Sequence, residues 1–510
     1  MDLPQLKTMK SLQLTIPGLY GIDLHPYQKV GVAAIQSVER LILGDDVGLG
    51  KTVQSVAGVQ LLHSMGVLDR RDVLVICPKG VRPDWFSTFK DHTPLTPLIG
   101  DESDQKCKFL DRQFNVLIIG HPTARIRVDL LSQRPWKMII VDEGMFKNSN
   151  SKTFAAIRKM TDKAQRTLIL NATSFEVSMG EVYSHIELTS PGLISYDRFK
   201  EQYCKVEQTR VRTKYRTTII KEKISGPKTL NSIPELKELM NKFYIKRTAE
   251  EVSVQLPKKV RKNIRVELLP CQKAEYVEQI EQFRKKMFGP AQLLYNLLRI
   301  SDGKLKNWAL EPNPEKVSAK GQALQNLVQS LGNQQFIVYS TYLDPLLASA
   351  KIVKAMGKRI GFYSGENQGS RDKHLAEFKA GQRDCMFLTQ AAQRGLNIQN
   401  CQHMIMMNQL YNAMARDQLE GRIRRVTSAF ENVFIYNILT VDTVEQNLIE
   451  MLSQREVLSN IINDEGSGIS GLTPEQLELI LKPRKSLVNK KSLKNSFEIF
   501  GGKLDDESEF

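Results

Sequence analysis

No apolar run in this chain reaches the roughly 18 residues that a membrane-spanning helix needs. The start, Met1-Asp2-Leu3-Pro4, also lacks the charged-then-apolar layout of a secretory signal. Cysteine is sparse and scattered: Cys77, Cys107, Cys204, Cys271, Cys385 and Cys401 include no Cys-x-x-Cys pair. That spacing argues against a zinc site or a disulfide framework and fits a reducing compartment. A soluble intracellular protein is therefore expected. Acid is the minority charge, Asp+Glu 56 against Lys+Arg 72, and the net +16 favours a polyanionic partner. Charge alone does not separate such a binder from a merely basic soluble protein. At 510 residues the chain exceeds one compact core, so two large domains with attachments are expected.

What is present starts with Leu41-Ile42-Leu43, a short apolar strand, running into Gly44-Asp45-Asp46-Val47-Gly48-Leu49-Gly50-Lys51-Thr52 and a helical stretch over 53–62. A phosphate cradle needs this order. The backbone at Gly48, Leu49 and Gly50 approaches the phosphates, Lys51 neutralises them, and the Thr52 hydroxyl reaches Mg²⁺. One position departs from the usual loop, Asp45 standing where a glycine is common. Upstream, Gln28 offers one amide donor and one acceptor to adenine. Alone it would read as a surface residue, but its place ahead of Lys51 favours the nucleotide. Continuous apolar runs at 73–77, 115–119 and 137–143 read as buried parallel strands. The last ends in Asp142-Glu143, where open α/β sheets bind ligands. There Asp142 is placed to hold Mg²⁺ and Glu143 to orient or deprotonate the attacking water. A further strand at 167–170 leads into Asn171-Ala172-Thr173-Ser174.

Tyr27-Gln28, Asp45-x-x-Gly48-x-Gly50-Lys51-Thr52, Pro78 followed by Trp85, Asp142-Glu143 with Lys147-Asn148, and Tyr244-Ile245-Lys246-Arg247-Thr248 together resemble the first half of a Swi/Snf-type ATPase of helicase superfamily 2. Gln418-x-x-Gly421-Arg422-x-x-Arg425 continues the resemblance, which covers most of residues 20–460. It implies an α/β fold of two RecA-like parallel-sheet domains with helical and β-hairpin insertions between them. The expected divisions are a leader at 1–23, the first ATPase domain at 24–195, insertions at 196–310, the second domain at 311–460 and a basic tail at 461–510. In the second domain, strands are expected at 335–339, 359–363, 385–388, 403–407 and 433–438. Ser340-Thr341-Tyr342 resembles the family's motif IV, and 389–397, with Gly395, resembles motif V. The resemblance assigns ATP contacts to Gly395 and Gln418, and ATP and Mg²⁺ as the cofactors. It also brings Arg422 and Arg425 over ATP held by the first domain; their three-residue spacing puts them on one helix face, and Arg425 reads as the finger with Arg422 as its partner, the reverse assignment staying open. An arginine on the transferring phosphoryl group is worth about 10³ to 10⁵ in rate. The chain departs from the family at Gly144-Met145, at Asn171-Ala172-Thr173-Ser174, the motif that links nucleotide state to DNA in relatives, and at Gln393.

Between the domains, residues 209–221 alternate β-prone and basic side chains before Ser225-Gly226-Pro227. This reads either as a hairpin whose Arg210, Arg212, Lys214 and Arg216 contact DNA at a branch, or as an edge strand protected by its charges. Glu311-Pro312-Asn313-Pro314 reads as a linker, 443–458 as a helix bracing the first domain, and 466–471 as a flexible joint before a basic tail. The expected activity is a DNA-stimulated ATPase, monomeric and cytoplasmic in a prokaryote or phage-infected cell. It would translocate on double-stranded or branched DNA and remodel forks or junctions, without zinc or membrane. The alternatives are an RNA-directed motor of the same class and a DNA-binding scaffold whose ATPase has decayed.

Overall fold

The structure is a computed structural model, and it describes the chain apart from residues 1, 10, 101–103, 105–106, 144–150, 172–178, 213–217, 230–231, 250, 253–255, 286, 304–315, 317, 366–368, 391–397, 411–412, 425–427, 451–479 and 482–510, and the side chains of 207–212, 218–223, 225–227, 233 and 413–415. Two compact α/β units meet in sequence between Leu256 and Pro257.

The first unit contributes β1 (Arg40–Leu43), β2 (Val73–Cys77), β3 (Pro97–Ile99), β4 (Val116–Gly120), β5 (Met138–Asp142), β6 (Arg166–Leu170), a hairpin of β7 (Cys204–Arg212) and β8 (Thr218–Pro227), and β9 (Tyr244–Ile245). Seven of these form a parallel sheet in the order β3-β4-β2-β5-β6-β1-β9. Apolar runs form these strands because both faces of the sheet are covered, and alternate residues enter separate cores. Ile42, Leu74, Ile76, Ile139, Val141 and Ile169 go to one side, where helices Lys152–Thr161, Met179–Thr189 and Tyr196–Tyr203 pack. Leu41, Leu43, Val73, Val75, Ile140 and Leu170 go to the other, under helices Pro26–Ser37, Lys51–Ser64 and Arg82–His92. Described residues of the expected leader pack on this unit. Leu3 and Leu6 enter the second core, and Lys7 Nζ donates to Asn241 Oδ1 at 2.6 Å.

The expected hairpin forms as an antiparallel pair. Ser225-Gly226-Pro227, read as its end, instead belong to β8: Gly226 pairs with Lys205 and Pro227 with Cys204, and a bulge accommodates Ser225 as the extra residue. Lys214 and Arg216 lie outside the described residues, as do the side chains of Arg210 and Arg212.

The second unit holds β10 (Lys258–Val266), β11 (Phe336–Tyr339), β12 (Ile360–Tyr363), β13 (Cys385–Leu388), β14 (His403–Met406) and β15 (Asn432–Thr440), all parallel in the order β10-β15-β14-β11-β13-β12. The five strands read from apolar runs are here within a residue or two at each end. β10 was not read as one. Its Lys-Lys-Val-Arg-Lys-Asn-Ile-Arg-Val pattern lacks an apolar run, and it is an edge strand held along its whole length by β15. This sheet therefore draws on residues well before 311. Helices Ala319–Leu331 and Leu343–Ala355 cover one face, burying Leu324, Val328, Leu346 and Val353 against Phe336, Val338 and Phe387. Residues 444–450 are helical, and Val444 and Leu448 share a core with Tyr276, Leu294 and Leu297 of the same unit. The linker residues 311–314, the joint at 466–471 and the basic tail lie outside the described residues.

Candidate nucleotide site

At the carboxyl edge of the first sheet the chain leaves β1 at Leu43, and helix Lys51–Ser64 begins after Gly50. Two glycines of the turn are in the left-handed region, Gly48 at φ 94° and Gly50 at φ 73°. A Cβ at Gly50 would also sit 2.5 Å from Gln28 Nε2, so the Gln28 amide would have to shift. Lys51 Nζ lies back across the loop, donating to the carbonyls of Asp45 at 2.5 Å and Asp46 at 3.2 Å. The first turn of the helix, with Thr52, presents backbone N–H groups and the positive end of the helix dipole, which suits an anion.

Gln28 is buried one turn into helix Pro26–Ser37. Its Oε1 accepts from His25 N at 3.0 Å, and its Nε2 donates to Leu49 O at 3.3 Å, beside the Tyr27 hydroxyl on the same carbonyl at 3.0 Å. Both ends of the amide thus serve the helix start and the phosphate loop, and adenine would have to exchange with these bonds. Burial, then the nearby Asp45 carboxylate, push the Tyr27 phenol above its ordinary range, so it stays a donor.

Asp142 is the last residue of β5. In register, Leu170 of β6 lies between Asp142 and Leu43, which sets the acidic pair and the phosphate loop about 10 Å apart along one sheet edge. The Asp142 Oδ2 accepts the indole N–H of Trp85 at 2.9 Å, a buried contact between residues 57 apart in sequence. Glu143 has φ 49°, unusual for a side chain of its size, and its N–H bonds Leu170 O at 3.0 Å. This turn carries the Glu143 side chain away from the direction the strand would have given it. Burial, with Asp142 adding, holds the Cys77 thiol well above its ordinary value, so it is an inert neighbour. Gly144, Met145, Lys147, Asn148 and the stretch Ala172-Thr173-Ser174 lie outside the described residues.

Two residues that sequence reasoning left without a role close the site. One is Trp85. The other is Arg247, just past β9, whose guanidinium meets Asp45 through Nε to Oδ1 at 2.9 Å and Nη2 to Oδ2 at 2.5 Å. The acid standing in place of the loop glycine was the available signal, because a carboxylate in a buried turn demands a cation. Nothing local in the sequence says which cation.

In the second unit, Gln418 lies on helix Ala413–Glu420. Arg422 does not share that helix, correcting the one-face expectation. The helix stops at Glu420, and residues 421–423 form a turn. Arg422 is buried there, its carbonyl accepting from Ile398 N at 3.1 Å, and Arg424 Nε donates to Pro257 O at 2.8 Å. The buried Glu420 fixes the helix to the edge strand, receiving Lys259 at 2.9 Å and Arg261 at 2.7 Å. Arg425, Gly395 and Gln393 lie outside the described residues.

The SNF2-related domain family matches residues 27–316, and the helicase conserved C-terminal domain matches 319–427. Among curated relatives, the "Uncharacterized ATP-dependent helicase YqhH" of Bacillus subtilis (strain 168) is 23% identical over 82% of this chain and 75% of its own length. The "Putative ATP-dependent helicase/translocase YwqA" of the same strain is 24% identical over 94% of this chain. The "DNA repair protein rhp54" of Schizosaccharomyces pombe is 24% identical over 84%. The matches to these last two span only 52% and 56% of their own lengths. With one family match covering more than half of its length and a helicase domain behind it, the chain belongs to the SNF2-related family and is an ATP-dependent enzyme of the helicase class.

Proposed function

We propose that this protein hydrolyses ATP at the 44–52 loop and uses the cycle to move along double-stranded or branched DNA, remodelling forks or junctions. The observation that carries the reading is the shared sheet edge on which Leu170 separates the phosphate loop from Asp142 and Glu143. The net charge of +16 and the names of the relatives, a helicase/translocase and a DNA repair protein, support a nucleic-acid track.

In this reading Lys51 leaves the carbonyls of Asp45 and Asp46 for the β/γ-phosphates. Among the described residues no cluster of three His, Cys, Asp or Glu could cage a metal. The hard oxygens of Thr52 and Asp142 instead suit Mg²⁺, which shares its ligands with substrate phosphates and would neutralise their charge when bound. Glu143 orients the attacking water or takes its proton, and Arg422 and Arg425 supply the positive charge for the transferring group in the closed enzyme. Gln28, Gly395 and Gln418 add contacts to the nucleotide. The hairpin residues Arg210, Arg212, Lys214 and Arg216 meet the DNA branch. Contacts to DNA are mainly to phosphates, since a translocase must accept any sequence. The enzyme acts as a monomer in the cytoplasm.

The test is phosphate release with single-stranded, linear duplex, forked and four-way DNA and with RNA, alongside strand-exchange products on the last two DNAs. Stimulation is expected with DNA, and exchange with branched substrates. Stronger stimulation by RNA would instead favour an RNA-directed motor. A Glu143→Gln variant that releases phosphate like the parent would favour a scaffold with a decayed ATPase.

A further inference from the structure

The Asp45–Arg247 pair is more than one contact. Asp45 is fully buried and Arg247 nearly so, with side-chain exposures of 0% and 13%. Around them lies a network of further bonds. Gln54 Nε2 donates to Asp45 Oδ2 at 3.0 Å, Gln54 Oε1 accepts from Arg247 Nη2 at 2.9 Å, and Arg247 Nη1 donates to the Tyr27 carbonyl. The guanidinium also lies over the Tyr27 ring, 5.4 Å from its centroid. The backbones are stitched together as well: Asp46 N donates to Arg247 O at 3.0 Å and Gly44 N to Ile245 O at 2.7 Å. Gly44 has no room for a side chain, because a Cβ would meet the Tyr244 ring at 2.7 Å.

A buried ion pair is a poor device for stability alone, since apolar residues of the same volume often do as well. Its value is geometric. A guanidinium fork accepts a carboxylate in one plane, and here that plane fixes the first turn of the phosphate loop. The same two loop residues are gripped from both sides. Lys51 holds the carbonyls of Asp45 and Asp46, while Arg247 holds the Asp45 carboxylate and the Asp46 N–H. With Lys51 turned to a triphosphate, the Asp45 carboxylate and the Asp46 N–H would still be held at Arg247. Arg247 also lies on the segment through which the chain leaves the first unit for Pro257.

We propose that Arg247 is a positioning residue for the nucleotide loop, acting through Asp45, and that it transmits the loop's occupancy to residues 244–252 at the exit from the first unit. This rests on the ATPase reading given above. The Arg247 guanidinium is engaged by Asp45, Gln54 and the Tyr27 carbonyl, so its loss is expected to show in nucleotide binding before the chemical step.

Two measurements test it. Hydrogen exchange on the full-length wild-type chain, with and without ATP and ADP, is expected to change over 44–54 and also over 244–252. A change confined to 44–54 would overturn the proposal, whereas no ATP-dependent change or turnover at all would overturn the ATPase reading instead. In the second, Arg247→Lys, which keeps the charge and loses the fork, is expected to weaken binding of a fluorescent ATP analogue by about tenfold or more, with a smaller change in kcat. Adding Asp45→Asn to Arg247→Lys should cost little further, because the pair acts as one unit. Unchanged affinity, a loss in kcat alone, or independent multiplication of the two single effects would count against it.

Discussion

Each unit carries a buried ion network at the carboxyl edge of its sheet, and the two are balanced differently. Beside the phosphate loop one carboxylate meets one guanidinium, Asp45 with Arg247. In the second unit one ammonium serves two carboxylates: Lys320 Nζ lies 2.7 Å from Asp302 and 2.7 Å from Glu445, and it also donates to the Met407 carbonyl. All three side chains are at most 2% exposed. Asn408 and Thr440 supply the remaining donors, to Asp302 at 2.7 Å and to Glu445 at 2.6 Å. Burial is the main reason that Asp302 is pushed up to about 6, Glu445 adding to it and Lys320 and Asn408 opposing. Burial also works against the charge on Lys320, yet the two carboxylates hold it above the ordinary lysine value. The difference teaches what each network does. A matched pair fixes the 44–52 loop, whereas the surplus acid ties together the ends of β14 and β15 and the residue after helix Pro290–Ser301, and makes that tie weaken as pH rises through about 6.

Lys320→Met leaves two buried carboxylates facing each other, and urea unfolding should show a loss of about 3–5 kcal/mol. Removing the charge at the substrate loop acts on turnover instead. Lys51→Ala should lower kcat by about 10² to 10³ in steady-state phosphate release, a larger change in turnover than the loss of its two bonds to the Asp45 and Asp46 carbonyls makes in the unfolding midpoint.

A smaller effect sharpens the contrast between holding and reacting. Trp85→Phe keeps an aromatic side chain, smaller than the indole, and removes the N–H that orients Asp142, so the Mg²⁺ needed for half-maximal ATPase should rise about 10- to 100-fold. Equal Mg²⁺ requirements in variant and parent would show that the indole only packs. The smallest effect is in pH. The Asp302 carboxyl has a folded value raised from 3.8 to about 6, so its stabilising contribution is present below about pH 4 and fades as pH rises through about 6. Urea midpoints of Asp302→Asn and parent, compared between pH 4 and 7, should show the parent losing ground over that interval.

How far the sequence reveals all this depends on the range of each interaction. Most strands could be read from it, because a strand covered on both faces is a run of apolar residues wherever it occurs; β2, with all five residues buried, is one such case. β9 is two residues long and β10 is mostly charged, so neither carries that mark. β10 exists because β15 pairs with it and because Glu420 neutralises Lys259 and Arg261 from about 160 positions away. The end of helix Ala413–Glu420 was missed for a related reason. Three-residue spacing suits a helix face, but Gly421 follows the last helical residue and Arg422 falls in the turn.

By itself the sequence determined the phosphate loop, the acid pair that ends β5 and the existence of two parallel α/β sheets. Those features depend on residues close together in the chain: glycines that permit positive φ, and apolar runs that must be buried. Only the tertiary structure decided that Trp85 would orient Asp142 and that Arg247 would hold Asp45, partners 57 and 202 residues apart. A buried carboxylate must find a donor, but its chemistry says only what kind, and the fold decides which one arrives.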